Sequence, residues 1–135
     1  MRNAEVASLL NEIADYLEFA DDTFKVRSYR RAAQNIDTLS EDVEQEWKQG
    51  RLTEIPGIGE GIAKKIDEFL KNNKSPYLEK LKKETPVDLE SLRKIEGLGP
   101  KRIMKIYREL GVKNVEELKN AAISKKIQSI EGFGP

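Results

Sequence analysis

Three short glycine pairs recur along the chain, each set among apolar residues. They read Ile-Pro-Gly-Ile-Gly at residues 55–59, Ile-Glu-Gly-Leu-Gly at 95–99 and Ile-Glu-Gly-Phe-Gly at 130–134. Two glycines one residue apart permit a tight turn and leave no Cβ, so the backbone can approach a ligand closely. A helix that begins directly after such a turn adds unpaired N–H groups and the positive end of its dipole. These features predict a main-chain site for an oxygen anion such as phosphate.

The residues inside and after each pair have separate predicted roles. Ile58 and Leu98 stand between the glycines, where we expect them to enter the core and make the turn rigid. Basic residues early in the following helices would add positive charge near the same phosphates. They are Lys64, Lys65, Lys101 and Arg102. Because main-chain contacts to phosphate contain no information about the bases, we expect nucleic-acid binding that is independent of sequence.

The glycine pairs are compatible with other kinds of site. A single pair could simply be the capped end of a helix followed by a tight loop, but three copies with matching apolar positions favour phosphate binding. A dinucleotide-binding fold needs a strand before its glycines, and no strand pattern is present. A P-loop needs Gly-Lys-Ser or Gly-Lys-Thr, and neither occurs.

The composition excludes several classes of site. The chain has 135 residues, of which 38% are hydrophobic and 36% charged, with neither cysteine nor histidine. Disulfides, zinc held by cysteine or histidine, and nucleophiles activated by histidine are therefore excluded. No apolar stretch approaches the roughly 20 residues of a membrane span, and the N-terminus does not resemble a signal peptide. We expect an intracellular, cytoplasmic monomer with no membrane partner.

Charge is unevenly distributed although the formal net charge is zero. Residues 1–50 have 6 basic and 11 acidic side chains, whereas residues 51–135 have 18 basic and 13 acidic side chains. The acidic half nevertheless has one basic cluster, formed by Lys25, Arg27, Arg30 and Arg31. Because a local patch can bind phosphate whatever the overall charge, neutrality does not exclude nucleic acid.

Apolar residues at helical spacing predict an all-α fold, a helix-hairpin-helix bundle of two small subdomains. The predicted helices span residues 3–20, 24–38, 41–49, 60–72, 77–84, 101–110 and 115–122. Residues 85–87 form the predicted boundary between a first subdomain, 1–84, and a second, 85–135. Ser40 is the predicted cap of the third helix, and Tyr29, Trp47, Val115 and Leu118 are predicted to be buried. The third glycine pair stops at Pro135, so we expect the natural sequence to continue.

Three segments resemble family X DNA polymerases, typified by DNA polymerase beta. Residues 55–70 resemble the first hairpin of that family, and residues 24–33 resemble its segment of aromatic and basic residues that ends in paired alanines. Residues 95–101 resemble the second hairpin. The resemblance extends over residues 1–135, and the third copy resembles an extra hairpin of the bacterial and archaeal branch.

The resemblance implies a function and residue roles. Lys65 falls where the family's lyase domain has the lysine that attacks the abasic sugar as a Schiff-base nucleophile. Lys25 falls at a lysine near the 5′ phosphate. The chain departs from the family at three positions, where Gly61 and Tyr77 replace basic residues and Phe24 replaces a histidine. Mg²⁺ is expected only for the polymerase palm, which these residues do not include; no cofactor is expected here, although hairpin carbonyls could hold a monovalent cation.

The motif and the resemblance together define a set of candidate site residues. Lys65 is the candidate nucleophile, although a solvated lysine that only touches phosphate would show the same pattern. The candidate DNA-binding residues are Lys25, Tyr29, Arg30, Arg31, Gly57, Ile58, Gly59, Gly61, Lys64, Gly97, Leu98, Gly99, Lys101 and Arg102.

Three functions follow from these residues. The first is DNA binding as part of a repair-type polymerase, with gapped or nicked DNA as the partner. The second is 5′-deoxyribose phosphate lyase activity. The third is protein docking without DNA contact, a role that helix-hairpin-helix repeats can also fill.

Overall fold

Apolar residues at helical spacing form eight α-helices within residues 1–124, the part of the chain that this computed structural model describes. The predicted all-α class is confirmed, and no strand occurs among these residues. The helices are α1 Asn3–Phe19, α2 Thr23–Asp37, α3 Val43–Lys48, α4 Glu60–Asn72, α5 Pro76–Glu84, α6 Leu89–Leu92, α7 Pro100–Leu110 and α8 Val115–Ile123. A single 3-10 turn, Leu52–Glu54, precedes the first glycine pair.

Helices α1 and α2 form an antiparallel pair at the centre of the fold. Asp21 adopts a left-handed backbone conformation with φ of 63° and reverses the chain between them. The Asp22 side chain then accepts a hydrogen bond from the Lys25 amide at 3.3 Å and caps α2. Ala32 and Ala33 are both buried, and their small side chains let α2 approach α1 closely.

The core is continuous from the first helix to the second glycine pair. Leu10 of α1 and Ile36 of α2 belong to the same buried cluster as Leu92 of α6 and Ile103 of α7. A smaller cluster of Ile106, Val112 and Ala121 lies beneath α8. The boundary at residues 85–87 therefore stays a prediction, since apolar packing extends across it.

An ion-pair network fastens α1 to both of its neighbours. The Asp15 carboxylate binds Arg30 of α2 at 2.6 Å and Arg93, just after α6, at 2.7 Å. The side chain of Asp15 is largely buried, so its two guanidinium partners supply the charge compensation that burial requires. Near the same end of α1, the rings of Phe19 and Tyr107 lie 6.1 Å apart.

Two local predictions were wrong. Asp42 rather than Ser40 caps α3, because its carboxylate accepts a hydrogen bond from the Glu44 amide at 3.0 Å. Val115 is 39% exposed instead of buried. It lies in the first turn of α8, and that helix contacts the core through Leu118 and Ala121.

Two further sequence-based expectations concern membrane-spanning helices and the third glycine pair. Within residues 1–124, no helix is both long and apolar enough to cross a lipid bilayer. The third glycine pair, residues 130–134, lies outside the described residues.

Asn3 connects the start of α1 to the start of α3, and its removal should destabilise the fold. Its buried amide donates to the Glu41 carbonyl at 2.7 Å and accepts from the Val43 amide at 2.8 Å. Asn3→Ala leaves both backbone groups without these partners, so we expect the free energy of unfolding to fall by about 2–3 kcal/mol. Urea denaturation measures this change.

The matched control is Asn120→Ala, which changes an exposed residue of α8. It should alter the free energy of unfolding by less than about 0.5 kcal/mol. Equal effects of the two substitutions would show that Asn3 has no special structural role.

Candidate nucleic-acid interface

The first two glycine pairs adopt nearly the same backbone conformation. Gly57 and Gly97 have φ of 85° and 80°, a left-handed region that side chains with a Cβ rarely adopt. Gly59 and Gly99 are extended, at φ −85°, ψ 179° and φ −92°, ψ 174°, and each is the residue from which the next helix starts. The sequence repeat is therefore a structural repeat.

The residue between the glycines anchors each turn. Ile58 is 3% exposed, and its amide donates to the Ile55 carbonyl at 3.0 Å. The Leu98 amide donates to the Ile95 carbonyl at 3.1 Å, and its half-buried side chain packs against both apolar clusters. The prediction of core burial is confirmed for Ile58, whereas Leu98 is half-buried at the edge of the core.

The start of each following helix is open to an incoming ligand. No side chain caps α4 or α7, so their first amides are not engaged by a capping side chain. A Cβ built on Gly59, Gly61 or Gly99 would meet no atom within 4 Å. Pro100 has no N–H at the first position of α7, so α4 offers one more amide donor than α7. Such open helix starts are suited to bind an oxyanion.

A groove of about 470 Å³ lies at the first hairpin. It brings together glycines of the turn, two predicted lysines and residues from α2 and α5. Its lining residues are Phe24, Lys25, Ser28, Tyr29, Gly57, Gly59, Gly61, Ile62, Lys65 and Tyr77. Six of the predicted site residues therefore share one concave surface: Lys25, Tyr29, Gly57, Gly59, Gly61 and Lys65.

Two tyrosines form one wall of this groove. The rings of Tyr29 and Tyr77 stack with centroids 6.3 Å apart and planes inclined by 20°. The Lys65 Nζ lies 4.7 Å from the centre of the Tyr77 ring, a cation–π contact that positions the ammonium group. Burial, together with the nearby Tyr77 hydroxyl, raises the pKa of Tyr29 to about 12. Tyr29 is therefore neutral near pH 7 and adds no negative charge to the groove.

Three basic residues of the predicted site, on α2 and α4, do not line the groove. Arg30 is bound by Asp15 and by Glu18, at 2.6 and 3.2 Å, and therefore has a structural role between α1 and α2. Arg31 packs beside the turn, with its Cγ 3.6 Å from the point that a Cβ on Gly57 would occupy. Lys64 lines a separate cavity on α4 with Trp47 and other residues, because successive helical residues point about 100° apart.

The second hairpin lies near the first turn of α2. Lys101 shares a cavity of about 140 Å³ with Thr23 and Arg27 of that turn and with acidic residues of the α1–α2 connection. The guanidinium of Arg102 donates to the Gly97 carbonyl at 3.4 Å, so it folds back onto its own hairpin. The first turn of α2 thus borders both hairpins.

Comparison with known sequences agrees with this geometry. Residues 1–75 match the family model described as a helix-hairpin-helix domain. The chain belongs to the helix-hairpin-helix domain family. Residues 89–135 match a second model, a SAM-like helix-hairpin-helix tandem. The two matches include the two hairpins described above.

One curated relative is the DNA polymerase/3′-5′ exonuclease PolX of Bacillus subtilis (strain 168). The two sequences are 39% identical over 135 residues, which is 99% of this chain and 23% of the relative. The resemblance to family X DNA polymerases is therefore confirmed by a relative matched along the whole chain. The chain spans about a quarter of that relative's length.

Two observations concern cation binding by the described residues. Among residues 1–124, no group of three or more acidic side chains is arranged to hold a metal ion. The Pro56 carbonyl of the first hairpin accepts a hydrogen bond from Asn35 Nδ2 at 2.7 Å. A monovalent cation at the hairpin carbonyls stays a prediction.

Sequence reasoning missed several residues of the first helix-hairpin-helix interface. Tyr77 was noted only as the replacement of a basic residue, yet its ring stacks on Tyr29 and contacts the Lys65 ammonium group in the groove. Ser28 lines the groove, and Asn35 supports the hairpin from α2. The position of Ser28 could have been predicted, because it lies one helical turn after Lys25. The contacts of Tyr77 and Asn35 join segments that are distant in sequence and could not.

The two hairpins should respond differently to alanine. At either Gly57 or Gly97, a Cβ strains the left-handed backbone by about 1–2 kcal/mol. A Cβ on Gly57 would also lie 2.7 Å from Asn35 Nδ2, whereas one on Gly97 would meet nothing within 4 Å. We therefore expect Gly57→Ala to lower the free energy of unfolding more than Gly97→Ala, as measured by urea denaturation.

The Asn35→Ala background provides the control, because it removes the amide that the new Cβ would strike. In that background, Gly57→Ala should cost no more than Gly97→Ala. If the cost of Gly57→Ala is unchanged by Asn35→Ala, the close approach of Asn35 is not its cause.

Proposed function

We propose that this chain binds DNA through its backbone phosphates, as the DNA-binding part of a repair-type family X polymerase. The observation that supports this most directly is the pair of matching hairpins. Each hairpin ends in a glycine with extended backbone, and no side chain caps the first amides of the helix that follows. At the first hairpin the start of that helix opens into a groove with Lys25 and Lys65. Amide donors and ammonium groups together form a surface complementary to phosphate.

The similarity to a DNA polymerase/3′-5′ exonuclease supports DNA as the ligand. We assign phosphate binding, rather than nucleotide transfer, to these residues, because their groove is built from main-chain amides and lysines. Mg²⁺ is proposed only for a polymerase palm, and no cofactor is proposed for this segment. We further propose that the protein acts as a monomer in the cytoplasm, with the chromosome.

Interrupted duplex is the proposed partner. The two helix-hairpin-helix units flank the first turn of α2, which borders the groove of the first hairpin and the cavity that contains Lys101. Because the carboxylates of Glu18, Asp21 and Asp22 also line that cavity, we assign the second phosphate site to the uncapped start of α7 and not to the cavity. The two helix starts would then bind the backbone on the two sides of a nick or short gap. Any bend of the DNA between the two sites would cost more free energy in intact duplex than in interrupted duplex, because intact duplex is stiffer.

Binding should be independent of sequence and should weaken steeply with salt. Each phosphate that the protein neutralises contributes a slope of about −0.9 in log affinity against log salt concentration. With at least one phosphate at each hairpin, we expect a slope of about −2 or steeper. Titration of labelled gapped DNA at several salt concentrations measures this slope. A flat response, or affinity that follows base sequence, would contradict backbone binding.

A bulky side chain at the helix starts should prevent DNA binding without unfolding the protein. Gly59 and Gly99 have extended backbone and open space around their Cβ positions, so Gly59→Leu and Gly99→Leu are compatible with the fold. Leucine would cover the amides at the starts of α4 and α7. Losing charge-assisted hydrogen bonds of this kind should weaken binding to gapped DNA by about tenfold or more for each variant.

Ser8→Leu is the matched control, since it adds the same side chain at an exposed position of α1. It should leave affinity unchanged. If folded Gly59→Leu and Gly99→Leu bind as wild type does, the hairpins are structural, and protein docking becomes the favoured function.

The groove also favours a second function, 5′-deoxyribose phosphate lyase activity. Lys65 lies on the same concave surface as Lys25 and the hairpin glycines, with its Nζ fixed above the Tyr77 ring. As a free amine, Lys65 could add to the C1′ aldehyde of an incised abasic sugar and lose water to form an imine. Transfer of a C2′ proton to solvent would then expel the C3′ oxygen with the 5′ phosphate of the downstream strand as the leaving group. Water would hydrolyse the remaining imine, which releases the unsaturated sugar and restores the lysine. These steps need no metal.

Borohydride reduction tests this function, because it converts the imine into a stable covalent adduct. We expect a trapped adduct with incised abasic DNA, and we expect Lys65→Ala to abolish most of it. Lys71→Ala is the control, because Lys71 is exposed and pairs with Asp67 at 3.4 Å. Absence of adduct in wild type would leave Lys65 as a phosphate contact alone. An adduct that persists in Lys65→Ala would assign the reaction to another amine.

A further inference from the structure

Asp15 is a buried acid whose two carboxylate oxygens bind different arginines. Its Oδ1 accepts from Arg30 at 2.6 Å, and its Oδ2 accepts from Arg93 at 2.7 Å. A buried ion pair adds little net stability compared with apolar packing of the same volume. The arrangement that Asp15 imposes on its two partners therefore explains its presence better than stability does.

The two arginines belong to segments that support different hairpins. Arg30 lies on α2, and Asn35 of the same helix donates to the Pro56 carbonyl of the first hairpin at 2.7 Å. Arg93 lies at the end of α6, two residues before the second hairpin begins at Ile95. A single carboxylate on α1 therefore connects the supports of both hairpins.

Apolar contacts at this junction restrict orientation less than the ion pairs do. Leu92 and Ile103 join the shared core, but apolar attraction has no preferred direction. A cleft of about 230 Å³ lies between α1 and α6, and Asp15 and Arg93 are among the residues that line it. Hydrogen bonds between a guanidinium and a carboxylate have a preferred geometry, so this pair defines how α6 and the second hairpin are oriented on α1.

We propose that Asp15 is a positioning residue that fixes the second hairpin relative to the first, and that this fixed separation determines which gap length in DNA the protein binds most tightly. This inference rests on the proposed binding of DNA by both hairpins. Two rigidly held sites engage one DNA together only when its phosphates match their separation. Two added nucleotides move a phosphate by about 7 Å along a strand, which is more than a hydrogen bond of about 3 Å tolerates.

The first experiment measures affinity for duplexes that differ only in gap length, from a nick to several nucleotides. Wild-type protein should bind one length about tenfold or more tightly than lengths that differ from it by two nucleotides. Asp15→Asn should reduce this preference to about twofold or less. Asparagine has one acceptor oxygen in place of two and no charge, so it cannot bind both arginines.

Two further variants separate positioning from stability. Arg93→Gln should act as Asp15→Asn does, and the double variant should add little, because both substitutions break the same contact. Asn3→Ala is the matched control. It removes a buried polar contact of α1 with Glu41 and Val43, and it leaves the contacts of the second hairpin intact. It should keep the gap-length preference of the wild type.

The second experiment measures the separation of the two hairpin units without DNA. The chain has no cysteine, so spin labels on Lys71→Cys and Glu109→Cys occupy only these exposed positions of α4 and α7. Electron–electron distance measurements should give one narrow distribution for the otherwise wild-type chain and for Asn3→Ala. Asp15→Asn and Arg93→Gln should each broaden it.

Three results would overturn the inference. The first is a narrow distance distribution in both Asp15→Asn and Arg93→Gln, and the second is a gap-length preference that neither variant changes. The third is Asn3→Ala matching Asp15→Asn in both experiments, since the effects would then follow from lost stability. If wild-type protein binds no gapped DNA, the proposed function fails together with the role in gap length, whereas the distance distributions still decide whether Asp15 positions the second hairpin.

Discussion

The burial of the residue between the two glycines is the contact on which the proposed interface depends. Ile58 lies in the core, and its amide is held by the Ile55 carbonyl, so the turn cannot move independently of the helices. Because the turn is fixed, α4 begins directly after extended Gly59, and no side chain caps its first amides. An anion site made of backbone needs this rigidity, since loose amides would lose conformational freedom on binding.

The electrostatic arrangement follows from the same geometry. A chain of zero net charge has no strong long-range attraction for DNA, so affinity must come from short-range contacts. The basic side chains fall into two groups. Arg30 and Arg93 compensate the largely buried Asp15, whereas Lys25 and Lys65 face the groove. We therefore expect electrostatic steering to be weak and DNA binding to depend on local complementarity.

The sequence predicted the features that depend on nearby residues. Helical periodicity located the helices, and the Gly-x-Gly repeats located the two turns and the burial of Ile58. Features that join distant segments were not predictable in this way. Arg30 resembled a phosphate ligand in sequence, yet its partner is decided by how α2 packs on α1. Tyr77 enters the groove only because α5 packs near α2 and α4.

The central claim is that phosphates bind the amides at the starts of α4 and α7. Titration of isotopically labelled protein with gapped DNA, followed by amide chemical shifts, tests it most directly. We expect the largest shifts at the amides of Gly61, Ile62, Lys101 and Arg102, and we expect added salt to reverse them. Large shifts confined to the Trp47 side of α4, with both helix starts unmoved, would contradict it.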